Sequence, residues 1–286
     1  MLVDALSAAL RALSFVALFQ AAGTAIFIAV FGRALDASTA GVRRVGIASA
    51  LAAIALVLSH YLLEAGRMSG ELTGMMDPTL QGMVMHSSAS VAATWRVAGL
   101  LLIVVGLRVA SSSGLLLAVV GATLAIAAFT LLGHTATNPA RWAMSMLLLL
   151  HLLVVAFWFG SLVPLILVSS RERAAAASAV VEQFSGLAIW LVPGLFVAGL
   201  LLAILLLPDV AALLTPYGSL LVAKILGFAV LMGLAALNKW RLGPALVRDD
   251  RNAKAAFQRA VVAEYVLIVA VLCVTAVLTS FFSPEG

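Results

Sequence analysis

Long apolar runs separated by short polar breaks set the pattern of the chain. The runs Leu115–Leu132, Met144–Val168 and Leu187–Leu207 contain no Asp, Glu, Lys or Arg, and each is long enough to cross a bilayer. Hydropathy predicts eight spans, at about 10–32, 45–66, 88–109, 115–133, 143–168, 184–207, 217–239 and 259–282. Helices are expected throughout, because every backbone polar group must be satisfied inside lipid, and the runs lack the polar–apolar alternation of a membrane barrel. The expectation is an all-α, polytopic membrane bundle forming one transmembrane domain over 1–286. The first run is too long for the core of a signal peptide and no cleavage site follows it, so it reads as a retained helix.

Composition agrees with the pattern. With 64% hydrophobic and 10% charged residues, the chain is outside the range of soluble domains. The net charge of +5 is concentrated in connections rather than in a nucleic-acid-binding patch. Arg33, Arg43, Arg44, Arg108, Arg171, Arg173, Lys239, Arg241, Arg248, Arg251, Lys254 and Arg259, twelve of the seventeen Lys and Arg, flank the odd-numbered connections. The positive-inside rule therefore puts those connections in the cytoplasm and both termini in the periplasm of a bacterial inner membrane. The single cysteine, Cys273, excludes an intramolecular disulfide and reads as a small buried hydrophobe. No phosphate-binding loop, hydrolytic triad or internal repeat stands out, which argues against an ATP-driven pump, a hydrolase and an inverted-repeat transporter. A transporter or metal-binding membrane protein is expected rather than an enzyme.

The ligand-type side chains concentrate between His60 and His86. Five of the nine methionines (Met68, Met75, Met76, Met83, Met85) lie there with Glu64, Glu71 and Asp77. Thioethers beside imidazoles suit Cu(I), a soft ion that prefers sulfur and nitrogen donors; the bland reading is gap-filling methionines among helix caps. His60, Glu64 and Met68 recur every fourth residue and share a helix face, with Glu64 open either to a metal path or to pairing with Arg67 or Arg96. Gly70, Gly74, Pro78 and Gly82 break a continuous helix, so the outer loop 67–87 is expected to fold as a short helix or cap ending in Met83-x-Met85-His86. His134 and His151 border the next outer connection, and Met144, His151 and Trp158 share a face of the fifth span. A histidine amid the leucines of a span is a functional candidate by cost. Lys224 and Glu264 read as structural, Lys224 snorkelling or pairing with a carboxylate such as Asp209, and Glu264 with Arg241, Lys239 or Arg259.

Three blocks carry a family likeness: LEAGRMSGELTGMMDPTLQGMVMHSS (63–88), GHTATNPARW with HLLVVAFWFGSLVPL (133–142 and 151–165), and LLVAKILGFAVLMGLAALNKWRLGPAL with FQRAVVAEYVLIVAVL (220–246 and 257–272). In these the chain resembles the copper-resistance D family of bacterial inner-membrane proteins. It departs mildly where the family typically reads Trp-x-Gly-Gly and this chain has Trp158-Phe159-Gly160-Ser161. The resemblance implies copper handling, usually described as import from periplasm to cytoplasm beside a small periplasmic copper carrier, here a separate protein.

The resulting expectation is a Cu(I) channel or transporter. Met75, Met76, Met83, Met85 and His86 would capture the ion, and His60, Glu64, Met68, His134, Met144 and His151 would complete the sites of the outer half. The alternative is a b-type haem redox protein with axial ligands drawn from His60, His134 and His151. A third reading is an assembly subunit whose histidines only join helices.

Overall fold

The structure, a computed structural model, describes residues 2–109, 111–133, 140–207, 211–246 and 251–282. His134 and Asp209 lie outside the described residues. The helices are α1 (Leu2–Phe31), α2 (Thr39–Ser69), α3 (Pro78–Met85), α4 (Ser88–Arg108), α5 (Ser112–Ala127), α6 (Arg141–Arg171), α7 (Ala174–Leu206), α8 (Pro216–Leu237) and α9 (Arg251–Phe281). Among the described residues there is no strand, and eight helices are long and apolar enough to cross a membrane. Several overrun the hydropathy limits: α1 starts at Leu2, α7 at Ala174 and α9 at Arg251. Hydropathy marks where lipid begins. The backbone ladder continues beyond it through good helix formers such as the Ala174–Ala177 run.

The first helix is the axis of the bundle. α1 packs on α2, α4, α5, α6 and α9, and 67% of its most apolar window is buried, against 6% for the crossing that contains α8. Lipid tails supply no hydrophobic drive between helices, so close approach of backbones has to supply the packing. A Cβ on Gly23 would overlap the backbone of Ala156 and Gly160, and one on Gly160 would meet Gly23 Cα at 2.5 Å. At this crossing Gly160 O accepts from Gln20 Nε2 (3.0 Å) and Thr24 Oγ1 (3.2 Å), joining α1 to α6 at a buried polar contact. α4 and α5 meet along a second glycine seam, Gly99 and Gly106 against Gly121 and Gly114.

The two ends of the bundle differ. The cap end holds α3 and the N-terminus of α1. There α2 closes on Gly70 in the left-handed conformation (φ 79°), and Asp77 caps α3 by accepting from Thr79 N (2.8 Å) and Leu80 N (3.3 Å), with Pro78 opening the helix. At the far end the Glu172 carboxylate accepts from Asp36 N (2.9 Å), Ser38 N (2.8 Å) and Ser38 Oγ, fixing the turn that starts α2. Burial raises the Glu172 pKa, but the hydrogen bonds from Ser38 and Asp36 outweigh it and hold the carboxyl below its usual range. Cys273 is exposed on the bundle surface rather than buried. A thiol is apolar enough to face lipid, so its hydrophobicity did not reveal its side.

Candidate functional site

The cap is a built substructure. Gln81 Nε2 donates to Leu62 O (3.2 Å) and Met75 O (2.9 Å), tying α3 back to α2 and to the 3-10 turn Leu72–Met76, while Val84 is buried beneath it. With Val84 turned inward, its neighbours stay outside: Met83 is 55% and Met85 60% exposed, beside Met76 at 85% and Met68 at 53%. Met75 is half-buried, and its side chain packs on Gly66. His86 is exposed, and its Nδ1 lies 2.8 Å from Gly82 O. A carbonyl only accepts, so Nδ1 carries the proton and Nε2 keeps its lone pair for a ligand. Met83 and His86 are three apart on the helix and therefore neighbours. Among the described residues no three His, Cys, Asp or Glu side chains gather.

The other sequence candidates are dispersed. His60 Nε2 meets Ser7 Oγ of α1 at 3.2 Å. Around it lie Arg11, Arg67 and Arg96, all within electrostatic reach. Glu64 binds Arg67 Nη1 at 3.1 Å, which settles the pairing in favour of Arg67, and Arg67 Nε also faces Asp4 at 4.0 Å. Arg11 donates to Thr279 O (2.7 Å), and the Arg96 guanidinium stacks 4.1 Å over the Phe129 ring. Three guanidiniums against two carboxylates make this a poor surrounding for a cation. His151 turns elsewhere, its Nδ1 donating to Leu195 O of α7 at 3.3 Å in the space left by Gly199, with Lys224 in electrostatic reach. Met144 is fully buried. His60 and His151 are thus engaged by different helices.

A further cluster lies in the half of the bundle towards the far end. Glu264 of α9 is 3% exposed and accepts from Trp158 Nε1 (3.4 Å) and Asn238 Nδ2 (2.5 Å). Its partners are therefore Trp158 and Asn238, not the expected Arg241, Lys239 or Arg259. The reason is local: residues 238–242 form a π-helical turn, which buries Asn238 and leaves Trp240 exposed. Beside the cluster lies a cavity of about 400 Å³ between α7 and α8, floored by α6 and α9. In the sequence, a carboxyl inside an apolar span is the signal that marks this cluster.

The comparisons with known proteins decide the family. A family model for copper resistance protein D matches residues 178–278, and one for the copper resistance protein D-like N-terminal domain matches residues 1–142. The chain belongs to the copper-resistance protein D family. It is a multi-pass protein of the inner membrane. Among curated relatives, Inner membrane protein YebZ of Escherichia coli (strain K12) is 26% identical over 200 residues, covering 67% of this chain and 68% of its own length. No solved structure matches the chain. The cap, His60, Asn238 and Glu264 fall inside the two matched segments of this copper-resistance protein, whereas His151 and Trp158 fall between them.

Proposed function

We propose that this copper-resistance membrane protein captures Cu(I) at the cap and passes it from the periplasm towards the cytoplasm. The observation that carries the reading is the anchored α3 helix, which presents Met83, Met85 and His86 outward with the His86 Nε2 lone pair free. Soft thioether and imidazole donors on a rigid support match a soft monovalent ion, and their exposure favours receipt from a separate small periplasmic carrier. The orientation rests on the Lys and Arg distribution: Arg33, Arg171, Arg173 and Lys254 lie at the far end, which supports a periplasmic cap. Exposed and few, these donors form a weak site, as onward movement requires.

His60 and His151 serve the bundle better than the ion. His60 sits among guanidiniums and His151 beside Lys224, so each would meet an incoming cation with like charge. His60 bonds to Ser7 of α1 and His151 to Leu195 of α7, and neither contact favours the haem reading. The test is metal analysis and an absorption spectrum on detergent-purified protein after Cu(I) loading under reducing conditions. Cu(I) binding should weaken at least tenfold in Met83→Ala and His86→Ala, with no Soret band in any sample. Retention of copper by the Met83→Ala/Met85→Ala/His86→Ala variant would refute capture at the cap, and a Soret band would restore the haem reading.

A further inference from the structure

Among the described residues Glu264 makes no ion pair. A carboxylate this deep in an apolar bundle is costly unless something neutralises it. Its two hydrogen-bond partners, the Trp158 indole and the Asn238 amide, are both neutral. Lys239 is the other charged residue lining the cavity, and among the described residues it makes no ion pair with Glu264. On α9, Lys254 donates to Ser170 O and Arg259 to Ala255 O. Asn238 Oδ1 is a second buried oxygen, and among the described residues it has no hydrogen-bond partner. Two buried oxygen acceptors thus line the cavity without a cationic partner among the described residues. The same cavity is lined by the Met232 thioether and by Trp158, a soft donor and a π-face.

We propose that this cluster is a single-charge exchange site in the half of the bundle away from the cap, holding either a proton on Glu264 or one soft monovalent cation. The inference rests on the copper reading for the identity of the cation. In exchange, the cation enters as the proton leaves the Glu264 carboxyl for water; one positive charge replaces another and no electron moves. Oxygen donors bind a soft ion weakly, and Met232 with Trp158 supplies the soft contact, so the site takes the ion briefly and releases it.

The full chain in detergent tests this, with Ag(I) as a redox-inert probe. Infrared difference spectra follow the C=O stretch of a protonated carboxylic acid, and a pH dye in weak buffer counts the protons released. Wild type should lose a carboxylic C=O band on saturation with Ag(I) and release one more proton per protein than Glu264→Gln, which lacks the band. Met232→Leu, nearly matched in volume, should keep the band in metal-free protein and need at least tenfold more Ag(I) to remove it. A wild-type band that Ag(I) leaves unchanged, or equal proton counts in wild type and Glu264→Gln, overturns the exchange site whatever happens at the cap. If Ag(I) removes the band while Met83→Ala/Met85→Ala/His86→Ala binds as much Ag(I) as wild type, exchange is upheld and cap capture falls.

Discussion

Glu172 shows how one side chain can hold a turn through charge. Its carboxylate gathers the Ser38 hydroxyl and two backbone N–H groups at the start of α2, and these donors favour the ionised form. A folded-state pKa below the unfolded one adds stability that is complete above the ordinary carboxylate range and is lost as pH falls through the folded value. Glu172→Gln should therefore melt earlier than wild type in detergent at neutral pH. The gap should close as pH drops below about 4. A gap of constant size across pH would show that the hydrogen bonds act without the charge. Glu172 could not be assigned this role from sequence, because its partners lie more than a hundred positions away in the turn before α2. Glu264 was misread for a related reason. Charge complementarity pointed to Lys239, Arg241 and Arg259, and only the π-helical turn reveals that a neutral amide faces it instead.

At the scale of elements, α3 was the most legible feature after the spans themselves. Gly70, Pro78 and Gly82 are poor residues for one continuous helix, and Asp77-Pro78 is an N-cap followed by the residue best suited to the first turn. Asp77→Ala should cost α3 about 1 kcal/mol. Amide hydrogen exchange at Thr79 and Leu80 should accelerate accordingly, with α2 and α4 unaffected; unchanged exchange would mean that Gln81 and buried Val84 alone anchor the cap. What the sequence did not disclose is which helices sit inside. α1 and α8 are both apolar enough to cross a membrane, yet one is the axis of the bundle and the other its rim. In lipid an exposed face and a buried face favour the same side chains, so burial leaves a trace only in small residues such as Gly23 and Gly160, where backbones touch. The histidines were dispersed for a similar reason: depth along a helix can be counted from sequence, whereas the face towards which a ring turns depends on packing.

For the whole molecule, orientation is the property on which the copper reading most depends. With Cys273→Ser as background, Met76→Cys should react with a membrane-impermeant thiol reagent added to intact spheroplasts, and Arg173→Cys should react only after lysis. The reverse pattern would put the cap in the cytoplasm and turn capture into export. The central place of α1 carries a consequence for how the protein is made. α1 is synthesised well before α6, and at about 5–20 residues per second it waits on the order of ten seconds for that partner. Until then Gln20 and Thr24 have no Gly160 carbonyl to meet and stand as polar groups in hydrocarbon. The newborn axis therefore depends on provisional shelter, from the insertion machinery or from α2, before the bundle closes around it.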